Sequence, residues 1–247
     1  MTKNVTDIYN EGYYYFYGKN GYPLNYRKAL ECFKNAAELG NSEAMNYLGL
    51  IYEDGKIVGK NLKNATEWYL KAVKADTKNA NALYNLGRMY YNGTGISKDV
   101  EKAYQFFMIV LKMEETVSKE LLAKNCFMIG CIMLEHFQNK IEAYPYFEKA
   151  AVYGDIPDAW YNLGWLCEKG VGKNCNSRKA YEFYKIAVVK GCVPAMDAMG
   201  RILLTVNQME EGRYWIKQAA DRGYDLAKKR LKMLDVGQSG SIIDLLK

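Results

Sequence analysis

The sequence predicts an all-α chain, a solenoid of about six helical hairpins closed by a C-terminal capping helix. Three observations carry this expectation. Two ladders of small residues share one period, apolar residues recur three and four apart between them, and glycine-rich turns separate the apolar stretches. The first ladder is Gly12, Gly49, Gly87, Gly130, Gly164 and Gly200; the second is Ala29, Ala65, Ala103, Ala143, Ala180 and Gly212. Two ladders with one period mean a repeat of two elements. Small residues let helix backbones approach closely, which accounts for glycine inside a helix despite a cost of about 1 kcal/mol.

The units run over residues 5–39, 43–77, 81–119, 122–154, 158–191 and 194–223. The first carries a weak copy of the pattern ending at Gly12. In the second, Ala44, Leu48, Ile51 and Tyr52 form one stripe and Ala65, Trp68, Tyr69, Ala72 and Val73 another, with Asp54-Gly55-Lys56-Ile57-Val58-Gly59 turning between them. The third opens on Ala82-Leu83-Tyr84-Asn85-Leu86-Gly87, turns at Asn92-Gly93-Thr94-Gly95-Ile96, and carries an insert at residues 113–120, read as an extended second helix or a longer exit loop. The fourth has Glu135-His136-Phe137-Gln138 in place of the glycine turn, and the sixth has Thr205-Val206-Asn207-Gln208; both predict tight joints. The fifth repeats the motif as Ala159-Trp160-Tyr161-Asn162-Leu163-Gly164 and turns at Lys169-Gly170-Val171-Gly172. Over 224–236, Ala227, Leu231 and Leu234 continue the packing stripe while Lys228, Lys229, Arg230 and Lys232 make the remainder polar, as a cap requires. Residues 237–240 read as a flexible link, and Ser241 as the cap of a short apolar helix, 242–246. That tail either docks on a groove of this chain, a neighbouring copy or a partner, and so mediates self-association, or is a disordered end.

Composition sets the function classes. With 49% hydrophobic and 25% charged residues, the chain has the material for a large core and not the profile of a disordered protein. No apolar run approaches the roughly 18 residues of a membrane span, and the amino terminus lacks the blocks of a secretory signal, so a cytoplasmic protein without membrane contact is expected. The net charge of +6 is mild, and no block of five like charges provides a nucleic-acid tail. Six cysteines are too sparse for a disulfide scaffold; Cys32, Cys126, Cys131 and Cys167 fall within apolar helical patterns and read as buried thiols. A single histidine, His136, and Cys126 and Cys131 on different helix faces leave no zinc site and no cofactor site. The same scarcity removes most acid–base and nucleophile arrangements, so no catalysis is expected. Gly55 to Lys60 and Gly170 to Lys173 end in Gly-Lys, but asparagine follows each and helices precede them, so they are turns and not phosphate loops.

A unit with Ala, Leu-Gly, Tyr, a Gly-x-Gly turn, Lys-Ala and an aromatic pair resembles the Sel1-like repeat, a relative of the tetratricopeptide repeat. The best copy passes through Ala82, Tyr91, Gly93, Gly95, Ile96, Lys102, Ala103 and Phe107, and the resemblance covers roughly residues 5–226. The cysteine slots of the secreted, stapled branch of that family hold Ala37 and Ala44, and Val188 and Ala195, so the chain does not resemble that branch. The resemblance implies a right-handed superhelix forming one domain over 1–236. It also implies a non-catalytic adaptor that holds a peptide or helix of a partner protein in a concave groove. In the tetratricopeptide relatives, ligand contacts come from residues three before, one after and four after the glycine. Carried over, those are Tyr9, Tyr13 and Phe16; Asn46, Leu50 and Glu53; Tyr84, Arg88 and Tyr91; Phe127, Cys131 and Leu134; Tyr161, Trp165 and Glu168; and Asp197, Arg201 and Leu204. Asn10, Asn85 and Asn162, two before the glycine, are placed to bond an extended backbone. Tyr9, Tyr13, Asn46, Tyr84, Asn85, Arg88, Tyr91, Phe127, Tyr161, Asn162, Trp165 and Arg201 are the expected partner-binding set, with Arg88 and Trp165 expected to matter for binding and not for stability. Two competing readings remain: Tyr84, Tyr91 and Trp165 as fillers between hairpins, and the same aromatic and basic residues as a single-stranded nucleic-acid surface. Glu43, Glu53, Asp158, Glu168 and Asp197, on or beside the groove, argue against a polyanion.

Overall fold

Asparagine writes most helix starts in this chain. Asn4, Asn25, Asn41, Asn61, Asn79, Asn139 and Asn176, and Asp99 in the same role, each accept a hydrogen bond from the backbone N–H three residues on. Each cap is worth about 1 kcal/mol. A computed structural model describes residues 4–172 and 176–235, and among these there are thirteen α-helices and no strand. They form consecutive hairpins: α1 (Val5–Tyr17) with α2 (Tyr26–Glu38), α3 (Ser42–Asp54) with α4 (Leu62–Ala75), and α5 (Ala80–Asn92) with α6 (Val100–Leu111). Next come α7 (Lys119–Glu135) with α8 (Lys140–Gly154), α9 (Pro157–Glu168) with α10 (Ser177–Val189), and α11 (Val193–Thr205) with α12 (Met209–Asp221). A single helix, α13 (Asp225–Asp235), follows. The chain divides into two compact units, Met1–Asn125 and Cys126–Lys247.

The long turns need glycine for two different reasons. Gly55 and Gly93 end α3 and α5 at φ of 79° and 70°, the left-handed region where a side chain is strained. Gly95 is held by contact as well, since a Cβ there would lie 2.0 Å from the Leu62 carbonyl oxygen at the start of α4. Where the glycine turn is missing, residues 136–139 and 206–208 make the predicted tight joints, with Gln138 and Asn207 taking φ of 53° and 60°. The insert of the third unit is an exit loop: α6 stops at Leu111, and residues 112–118 form turns before α7.

Both ladders are buried throughout. Each glycine of the first lies against one large side chain of the helix that follows: Gly12 on Phe33, Gly49 on Tyr69, Gly87 on Phe107, Gly130 on Phe147, Gly164 on Tyr184 and Gly200 on Ile216. All six of these side chains are 0% exposed. A Cβ at Gly49 would fall 2.4 Å from the Tyr69 ring, and one at Gly164 would fall 2.6 Å from Tyr184. The glycine is thus the socket of a buried side chain, a ring in five of the six hairpins, which is why the ladder tolerates the helix cost of glycine.

In the second unit, α13 packs along α12. Ala227 is fully buried, and Leu231 and Leu234 pack beside it against Ile216 and Ala219. Two sequence readings are corrected. Arg230, counted with the solvated lysines, lies three residues past Ala227 and so shares its buried face, where it donates to the Asp197 carboxylate of α11. Cys167 is disulfide-bonded and not a free thiol, because an apolar pattern reports burial and not whether a second sulfur is near. Among the described residues, Cys32, Cys126, Cys131 and Cys192 are in the thiol form. The predicted link and tail at 237–247 lie outside the described residues.

If the glycine socket governs packing, Gly49→Ala and Gly164→Ala should each destabilise by about 1–3 kcal/mol through overpacking, although alanine is the better helix former. Gly59→Ala, whose Cβ meets nothing within 4 Å, should be near neutral. Urea midpoints of the three variants check the order.

Candidate functional site

Within the first unit, the first helices of successive hairpins enclose a cleft of about 400 Å³. Its wall is built from Tyr9 and Tyr17 of α1; Glu43, Asn46, Tyr47 and Leu50 of α3; Asn81, Tyr84 and Asn85 of α5; and Glu120, Leu121 and Lys124 of α7. Four of the sequence-predicted residues, Tyr9, Asn46, Tyr84 and Asn85, therefore meet in one place. At the base, Asn85 donates its Nδ2–H to Asn46 Oδ1 at 3.0 Å, with the two residues 8% and 3% exposed. Tyr47 stacks on Phe33 at 4.8 Å and touches the rings of Tyr9 and Tyr13, so the α1 tyrosines form one aromatic cluster with the first core. Burial, then Glu43, push the Tyr9 hydroxyl above its ordinary range, and burial does the same for Tyr47.

The other predicted residues of this unit sit elsewhere. Tyr13 is half-buried under the Lys19 ammonium, 5.5 Å from its ring centroid, and Tyr91 lies under Lys98 at 5.7 Å. Arg88 is engaged internally: its Nη2 donates to both carboxylate oxygens of Glu53 at 2.7 Å, while the Tyr69 hydroxyl donates to Glu53 at 2.9 Å. The second unit repeats this triad. Arg201 Nη2 donates to Glu168 at 3.0 Å, and the Tyr184 hydroxyl donates to the same oxygen at 2.6 Å. Burial lowers the pKa of Arg88, but Glu53 outweighs it and the net direction is upward; Arg201 behaves alike beside Glu168. Both arginines thus tie one hairpin to the next, and Arg88 carries stability as well as whatever it offers a partner.

The remaining predicted residues of the second unit are partly buried. Phe127 meets Phe147 edge-on at 5.8 Å, and Tyr161 lies on Tyr184 at 5.7 Å. The Trp165 ring is covered by the Lys140 and Lys169 ammonium groups at 5.4 and 5.8 Å, and Asn162 lies one turn from it on α9.

Sequence reasoning missed the triad, although its signal was present. Only the units with glutamate four past the glycine have tyrosine, not phenylalanine, in the socket, and only those are followed by arginine one past the next glycine. It also missed Tyr17, Asn81, Leu121 and Lys124 in the cleft, which occupy offsets the tetratricopeptide pattern does not name, and Tyr47, which shares the offset of Asn85 but is not an amide. No cluster of three or more His, Cys, Asp or Glu suited to a metal ion occurs among the described residues. No helix among them is long and apolar enough to cross a membrane.

With the geometry in view, the Sel1 repeat model matches residues 8–41, 42–76, 80–107, 134–151, 157–188 and 199–224. Among solved structures, the chain is similar to c5321, a protective antigen of uropathogenic Escherichia coli strains. That match has a TM-score of 0.76 and 25% identity over 92% of this chain, which spans 48% of the antigen's length. It is also similar to a Sel1 repeat protein from Oxalobacter formigenes, with a TM-score of 0.69 and 25% identity over 87% of this chain and 85% of that one. The fold alone is shared with YrrB, a TPR protein with an unusual peptide-binding site, at a TM-score of 0.57 and 18% identity over 82% of this chain and 99% of that one.

Two outcomes follow from the buried charges. Arg88→Ala and Arg201→Ala should each lower stability by roughly 1–2 kcal/mol, with the larger loss at Arg201, where both partners are 17% exposed, against 28% and 22% for Arg88 and Glu53. Double-mutant cycles with Glu53→Gln and Glu168→Gln check that the loss is the pair's own. The second concerns alkali. Burial, then acidic neighbours, raise the Cys131 and Cys192 thiols to about 12, and burial raises the Tyr161 hydroxyl to about 12. An acid whose folded pKa is raised contributes stability that is complete below its unfolded pKa and is lost as pH rises through the folded value. Melting temperature should therefore hold from neutrality to about pH 8 and fall between about pH 9 and 12. Cys131→Ala and Cys192→Ala should each make that fall shallower in thermal melts.

Proposed function

The chain belongs to the Sel1 repeat family, and from that premise we propose that it is a non-catalytic adaptor whose first-unit cleft binds a peptide or helix of a partner protein. The observation that carries this is the convergence of Tyr9, Asn46, Tyr84 and Asn85 on one cleft of about 400 Å³, from three consecutive hairpins. Tyrosine offers a large rigid contact with a polar tip at low entropy cost, and side-chain amides can bond a peptide backbone, so this wall suits a polypeptide. The fold shared with YrrB is one able to carry a peptide-binding site. The Glu43 carboxylate on the wall disfavours a nucleic-acid strand, whose phosphates would meet it.

The test is affinity capture followed by calorimetry with the identified partner. Tyr84→Ala should weaken binding by about 1–3 kcal/mol, while Tyr214→Ala, exposed on α12 and not part of the cleft wall, should not. Affinity should change little between about 50 and 200 mM salt; a steep loss with nucleic acid in the eluate would replace the adaptor by the strand-binding alternative.

A further inference from the structure

Resting on the peptide-binding reading, we propose that the same cleft is specific for a basic side chain, an arginine or lysine of the bound segment, received against its tyrosine rings and the Glu43 carboxylate. Charge on the wall is the first argument. Of its three charged groups, Lys124 is already paired with Glu120 at 2.6 Å along α7, which leaves the Glu43 carboxylate as the uncompensated charge. Glu43 is held by the Asn81 side chain, and burial followed by Asp76 keeps its carboxyl above the usual carboxylate range despite that bond. A carboxylate in that setting gains from an arriving cation and loses from an arriving anion.

The rings supply the second argument. Aromatic faces attract ammonium and guanidinium groups, and more strongly when the site is partly dry. The tyrosine cluster already does so on its outer rim, where the Lys19 ammonium lies 5.2 Å from the Tyr17 centroid. Tyr17 also lines the cleft, together with Tyr9, Tyr47 and Tyr84. The stem of an arginine or lysine has an apolar length to lay against such rings and a charged head to reach Glu43.

The test titrates the isotope-labelled 247-residue chain with N-acetyl-arginine amide, N-acetyl-norleucine amide and N-acetyl-glutamate amide, following the side-chain amide resonances of Asn46, Asn81 and Asn85. The arginine probe should shift them saturably, and the other two should not. Glu43→Gln should weaken the arginine probe about fivefold or more, and Lys124→Glu, a change on an exposed position, should strengthen it. Equal shifts with norleucine would make the cleft merely apolar, and shifts with the glutamate probe would make it an anion site. Either result overturns the proposal, as would no arginine shift at tens of millimolar. If Tyr84→Ala still abolishes partner binding while the arginine probe fails, the adaptor reading stands and basic-residue specificity alone falls.

Discussion

The contact on which the hairpins depend is a bare glycine backbone pressed onto one buried side chain, an aromatic ring in five of the six and Ile216 in the last. Gly49 on Tyr69 and Gly164 on Tyr184 bring two helices closer than any residue with a Cβ could. That distance buries the ring completely and fixes where the hydroxyl of a tyrosine in the socket emerges. A buried phenol needs a partner, and Glu53 and Glu168, one turn past the glycine, supply it. The glutamates in turn need a counter-charge, which Arg88 and Arg201 bring from the next hairpin. A packing decision in one hairpin is thereby transmitted to its neighbour as an ion pair.

Where the socket holds Phe33, Phe107, Phe147 or Ile216, there is no hydroxyl and no acid one turn on, and the chain omits the arginine as well. The repeat is therefore not uniform. Its second and fifth hairpins are clamped electrostatically to the hairpin that follows, and α13 is held to α11 by the related pair of Arg230 and Asp197. Positions that in relatives face a ligand are partly taken up by these internal ties, while in the cleft of the first unit tyrosine and amide side chains converge around open space.

Much of this was legible in the residues. The two ladders, their common period and the Gly-x-Gly turns defined an all-helical repeat, because backbone approach and left-handed turns admit so few residue types that the pattern recurs visibly. The site was legible only in part. Tyr9, Asn46, Tyr84 and Asn85 were found by their offset from the glycine, but the same rule equally named Arg88 and Arg201. Nothing in an offset distinguishes an arginine facing a ligand from one folded back on a glutamate more than thirty residues earlier.

By itself, then, the sequence determined the element type, the hairpin order and which faces are apolar, since these follow from local periodicity and from the steric demands of single residues. Tertiary structure alone decided three things: that Arg230 pairs with Asp197, that Cys167 meets another sulfur, and that Glu43, Tyr17 and Tyr47 share a cleft with the predicted residues. Each depends on which side chains come within bonding distance once the helices are packed. Those separations are set by the ring-in-socket packing and not by spacing along the chain.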